Sequence, residues 1–168
     1  MEILIFTAGV LLAMGISLGV GSSTLAVLNF FLAIKDGKID ETERHFMGIT
    51  YIVLRIAMMI ILFSTATLAL VIGNDYFNTY TMAQFILIGM LYINAILMTL
   101  RIMPSTFGPA IQASSWYGLG LLLAFYNQGF TDFTLTTFLL SYLALFLLAT
   151  AIINGVLGYL KSHQKPNL

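Results

Sequence analysis

Few side chains in this 168-residue sequence can do chemistry, and Arg55 stands out among them. It lies inside an otherwise uncharged apolar run, from about Phe46 to Gly73. A guanidinium stays charged and carries five donors that must find acceptors. None of the seven Asp and Glu residues falls inside an apolar run, so no carboxylate is placed to pair with it. What remains is amide or carbonyl oxygen, water, or a bound anion. Three carboxamides occupy matching places in other runs: Asn29, six residues before Lys35; Gln112, eight after Pro104; and Asn154, seven before Lys161. Arg55 itself comes ten residues after His45. At ~1.5 Å per helical residue, these groups share a layer ~9–15 Å from one end of their helices. Tyr51, Ser114, Ser115 and Trp116 fall at or near that layer, and Arg101 stands at its rim. Such a set can do recognition chemistry, with the guanidinium supplying charge to an anion and the amides orienting a polar solute or lipid headgroup. Two structural roles compete for Arg55. It can extend its head to the inner lipid phosphates, or it can tie neighbouring helices together through Asn29, Gln112 or backbone oxygens.

Catalysis is poorly provided for. No His or carboxylate is available beside the Ser residues of the apolar runs, so no nucleophile–base pair is expected. There is no Cys, which removes disulfides and thiolate metal sites. The two His residues, His45 and His163, fall at the same end of their helices, so they cannot face each other across a haem. No catalytic residues, metal or cofactor are expected, and an intramembrane enzyme is the least favoured class. The absence of a paired carboxylate in the spans also argues against a proton antiporter of the usual kind.

The elements that must position these groups follow from composition. Of the chain, 60% is hydrophobic and only 8% charged, against roughly 25% charged in soluble domains. A domain of this length still exposes about a third of what its unfolded chain exposes, which leaves no room for so much apolar surface in a soluble fold. Equal numbers of acidic and basic residues, seven of each, give no net charge to attract a polyanion, and nucleic acid is excluded as a partner. The expected fold class is all-α: a polytopic membrane protein with one transmembrane helical domain over residues 1–168. About 20 apolar residues cross a bilayer as a helix, and the sequence offers five such runs, at about 3–34, 46–73, 83–103, 107–125 and 134–160. None shows the alternation of a membrane barrel strand.

Orientation follows from the basic residues of the short loops. With five helices, Lys35, Lys38, Arg44, Arg101, Lys161 and Lys165 all fall on one side, whereas the 74–82 and 126–133 loops have none. The expectation is a multi-pass protein of the cell membrane, of bacterial inner-membrane type, with its N-terminus outside and its C-terminus cytoplasmic. The first run lacks a basic leader and is too long for a cleaved signal, so it is expected to be retained. At 32 residues from Ile3 to Ile34 it also exceeds the bilayer, so the helix must project or bend, most easily between Gly15 and Thr24.

Other patterns have plain explanations. Asp36-Gly-Lys-Ile-Asp40-Glu-Thr-Glu43 imitates the second half of an EF-hand loop, but Leu32 and Ile34 stand where its first carboxylates belong. Asp40 and Glu43 read better as a capping box. The aromatic segments 74–80 and 126–133 read as an outer aromatic belt. Gly15, Gly19 and Ser22/Ser23, with Gly108, Ala110, Ala113, Ser114, Gly118 and Gly120, read as close-packing faces between helices.

The function these residues point to is that of a small transporter or channel component. Its cytoplasm-facing pocket would be lined by Arg55, Asn29, Gln112 and Asn154, with Arg101, Tyr51, Ser115 and Trp116 nearby, and the Gly/Ser segment of the first helix would be its moving or broken element. The alternative is a non-catalytic subunit or assembly factor of a larger membrane complex. Partners are then the lipid bilayer, a lipid headgroup or small anion, and a second copy or another membrane protein.

Overall fold

The computed structural model of the chain describes residues 1–35, 40–104 and 107–163. These residues form five α-helices: α1 (Glu2–Lys35), α2 (Glu41–Ile72), α3 (Thr79–Thr99), α4 (Phe107–Asn127) and α5 (Leu135–His163), with a 3₁₀ turn at Gly73–Tyr76 between α2 and α3. No strand occurs among the described residues. Four stretches, Glu2–Leu32, Glu41–Tyr76, Thr79–Thr99 and Leu135–Leu160, are long and apolar enough to cross a membrane. Their outward faces carry large apolar side chains such as Phe6, Phe63, Ile93, Leu140 and Leu148, all more than half exposed, as acyl-chain contact requires.

The fifth expected crossing, α4, has the length but not the hydropathy. Its 21 residues span ~31 Å, close to the ~30 Å of a hydrocarbon core. Its composition is explained by its place in the bundle. α4 packs against α1, α3 and α5, and Gly108, Ala113, Ser114, Ser115, Trp116 and Gly118 are all buried. A helix shielded by other helices needs small residues for close approach more than it needs apolar bulk.

The small-residue faces point inward, and the distances show why. A methyl at Gly15 would stand 2.9 Å from both Ile60 and Ile61 of α2. A methyl at Gly19 would overlap the six-membered ring of Trp116, which is fully buried. At Gly118 it would meet Leu87 of α3 at 3.0 Å. α1 remains helical through Gly15–Thr24. The expected broken segment is therefore an unbroken surface on which α2 and α4 lie, because here the small residues serve packing and no backbone hydrogen bond is lost to a kink. Ile16, Leu54, Ile61, Leu87, Leu91 and Leu119 surround Trp116 in the main core.

The helix ends follow local chemistry. Asp40 caps α2 as expected: its carboxylate accepts from the Glu43 N–H at 2.6 Å, and its own N–H donates to Glu43 at 3.1 Å. The remainder of that acidic segment, residues 36–39, lies outside the described residues. α3 starts four residues before the expected position 83, because Asn78 and Thr81 form a second capping box, each bonded to the other's N–H at 3.0 Å. α3 ends at Thr99 and not at Met103, because Arg101 turns into the left-handed region with φ 58°. The Arg101 N–H donates to Met98 and the Ile102 N–H to Leu97, both at 3.1 Å, which is a complete Schellman closure. The aromatic segments lie near each other at one end of the bundle. There Tyr80 and Tyr126 approach to 5.1 Å, and Phe85 packs on Tyr76 and Phe77.

Candidate functional site: a side cleft at Arg55

The phase of α2 decides where Arg55 points. Leu54, Ala57, Met58 and Ile61 turn inward and are buried. Ile52, Ile56 and Met59, in phase with Arg55 at three, one and four residues, are 57, 49 and 47% exposed. Arg55 is therefore exposed on the outward face and not enclosed by the bundle. This corrects the expectation of a guanidinium buried among carboxamides, and the cause is angular: the layer shared by the polar groups fixes depth, but helix phase fixes direction.

Arg55 overlies the seam between α2 and α3. α2 packs along α1 over its length but touches α3 only sparsely. Two polar ties hold that seam. Gln84 Nε2 donates to Thr65 Oγ1 at 3.3 Å, and Tyr92 Oη donates to the Met58 carbonyl at 3.0 Å. Where the helices part, a cavity of about 240 Å³ opens, lined by Tyr51, Arg55 and Met58 of α2, Asn94 and Met98 of α3, and Gln112 of α4. A void of about 20 Å³ shares Tyr51, Met98 and Gln112 with it and reaches Ser23 and Phe30 of α1; that is room for roughly one water. Two apolar grooves also meet at Arg55. One, of about 520 Å³, runs with Met59, Tyr92 and Ile96, and the other, of about 640 Å³, runs with Leu11, Ile60 and Phe63. Among the described residues the Arg55 side chain makes no ion pair or hydrogen bond.

No protein-family model, curated protein or solved structure matches the chain. Its chemistry is read from the geometry.

Of the expected site residues, the structure brings Tyr51, Arg55 and Gln112 to one cavity. The others lie elsewhere. Asn29 donates to Thr50 Oγ1 at 3.3 Å, tying α1 to α2. Ser115 shares a 2.9 Å hydrogen bond with Tyr142 Oη, tying α4 to α5. Trp116 is buried in the core, its Nε1 without a partner. Arg101 is exposed in the α3–α4 connection. Asn154 is exposed on α5 and does not line the cavity. Equal depth along five helices did not place these groups in one pocket, because each helix turns a different sector toward the seam.

Asn94 is the residue that the depth argument passed over. It is 2% exposed, and its Nδ2 donates to the Gly108 carbonyl at 3.0 Å. Its Oδ1 is buried without a partner. Asn94 reads as mid-helix only if α3 runs to Met103. With α3 ending at Thr99 and α4 starting at Phe107, Asn94 and Gln112 each stand five residues inside their helices. The lining thus offers a fixed positive charge, an amide and an orphan acceptor. It contains no carboxylate or imidazole, so the chemistry available to it is binding and orientation.

Proposed function

We propose that the chain is a multi-pass membrane protein whose α2–α3 cleft receives an anionic lipid headgroup, and that it acts as a small transporter of such amphiphiles. The observation that carries this reading is the position of Arg55, unpartnered where a polar cavity and two apolar grooves meet. A charged residue at this depth costs about 2.5–3.5 kcal/mol on insertion scales. An anion drawn in from the side offsets that cost, and its chains find the grooves already apolar. Four apolar helices of spanning length support the membrane setting. In the proposed orientation the end bearing Arg44 and Arg101 faces the cytoplasm, so the cleft belongs to the inner leaflet half. The test is transbilayer movement of a fluorescent phosphatidylglycerol in vesicles reconstituted with purified protein. Wild type accelerates it and Arg55→Gln does not; equal rates for the two would end the proposal.

The reading as a subunit of a larger complex draws on a different observation. Asn154 is exposed on α5 with no hydrogen-bond partner among the described residues, and a side chain at Gly155 or Gly158 would meet open space. An amide on an otherwise apolar surface suits a neighbouring helix better than acyl chains. Native mass spectrometry in mild detergent distinguishes the two readings: a monomer with bound lipid supports the first, and a lipid-free oligomer the second.

A further inference from the structure

The cleft's donors and acceptors are unevenly matched, and the mismatch specifies its occupant more closely. The Gly108 carbonyl can only accept, so it fixes the Asn94 amide with Nδ2 toward α4 and Oδ1 away from it. That Oδ1 is the buried atom left without a partner, on a side chain lining the same cavity as Arg55 and Gln112. A phosphodiester or sulfate carries acceptors only. It satisfies Arg55 but cannot give Asn94 Oδ1 the proton it lacks. An ammonium headgroup could donate, but it would bring a second cation into a cavity that already holds a guanidinium. A hydroxyl donates without charge. The volume, about 240 Å³, falls below the ~300 Å³ at which pockets begin to hold whole drug-sized ligands, so it suits a headgroup whose chains lie in the flanking grooves.

We infer that the ligand is a hydroxyl-bearing phosphate ester of the phosphatidylglycerol kind, its phosphate on Arg55 and its hydroxyl donating to Asn94 Oδ1. This rests on the reading of the cleft as an anionic headgroup site. The same chemistry exists in soluble glycerol 3-phosphate, but the two apolar grooves meeting at Arg55 favour the lipid.

The test compares phosphatidylglycerol with phosphatidylmethanol of the same chains, which keeps the charged phosphodiester and lacks the hydroxyls. Lipid retention is read by native mass spectrometry of the full chain, with glycerol 3-phosphate as a third probe. Wild type retains phosphatidylglycerol about fivefold better than phosphatidylmethanol, the ratio one hydrogen bond to a buried acceptor supports. Asn94→Leu brings that ratio to about one, and Arg55→Gln weakens retention of both lipids alike. Equal retention of the two lipids by wild type overturns the hydroxyl assignment while leaving the Arg55 site standing; this arm needs no variant to fold. Unchanged retention of both by Arg55→Gln overturns the site itself. Binding of glycerol 3-phosphate with no lipid retained overturns the lipid source.

Discussion

Asn94 Nδ2 reaches the carbonyl oxygen of Gly108 at 3.0 Å and thereby fastens α3 to the first turn of α4. The same bond turns Asn94 Oδ1 away, into a place where no protein donor meets it. One side chain thus closes the α3–α4 hairpin and leaves an unmet acceptor beside the only described arginine within a spanning helix. Asn94→Asp puts this relationship to use. It removes the donor to Gly108 and sets a carboxylate in the cavity with Arg55. The expected outcome is loss of anionic lipid retention by about tenfold or more, since the new carboxylate competes for the guanidinium. Retention by native mass spectrometry checks it, and undiminished binding would contradict it.

Arg55 should matter for binding and not for folding. It makes no hydrogen bond or ion pair among the described residues, and its neighbours Ile52, Ile56 and Met59 face outward with it. Arg55→Leu is therefore expected to leave stability unchanged or to raise it by about 1 kcal/mol, part of the insertion cost returned. Thermal unfolding followed by fluorescence reports this directly, because the single tryptophan, Trp116, is fully buried. A loss of more than about 2 kcal/mol would mean that the guanidinium is structural glue after all, since that is the range for breaking charged hydrogen bonds.

Gly19 and Trp116 make the opposite prediction. A methyl at Gly19 would overlap the indole ring, and both residues sit where α1 crosses α4. Gly19→Ala is expected to cost about 1–3 kcal/mol, the range for overpacking a close-packed core. Trp116→Phe removes the ring atoms in the way, so the double variant should recover part of the loss. Because the two sites are in contact, their effects will not add. Circular dichroism replaces fluorescence here, and strict additivity would show that the contact is not the source of the cost.

Much of the architecture was legible from apolar run length, because crossing a bilayer fixes helix length almost independently of sequence detail. The Asp40–Glu43 capping box was legible for a different reason: it is local, and three residues determine it. The limits were physical too. Hydropathy cannot show that α3 starts at Thr79, because Asn78 and Thr81 cap it with polar side chains ahead of the apolar run. It cannot show that α3 stops at Thr99, because Leu100-Arg101-Ile102-Met103 is as apolar as what precedes it. That second error displaced Asn94 from the layer of Gln112. Depth counting brought Tyr51, Arg55 and Gln112 together correctly, yet grouped them with Asn29, Asn154, Ser115 and Trp116, which face other seams. Depth is a property of one helix, whereas direction depends on how its neighbours pack.

The two Schellman closures supply the last prediction. α4 ends with Gly129 at φ 76°, where Gly129 N–H donates to Tyr126 and Phe130 N–H to Phe125. α3 ends in the same pattern with Arg101 at φ 58°. The hydrogen bonds match; the residue types do not. A Cβ in the left-handed region costs roughly 1–2 kcal/mol, and glycine gives back part of that through its greater freedom in the unfolded chain. Arg101→Gly should therefore stabilise the protein by about 0.5–1 kcal/mol, while Gly129→Ala should destabilise it by about 1 kcal/mol. Chemical denaturation in mixed micelles measures both. Arg101 is exposed, so no core contact confounds the comparison. A destabilised Arg101→Gly variant would show that the basic side chain, set against the carbonyl end of α3 where positive charge is favoured, contributes more than the strain takes away.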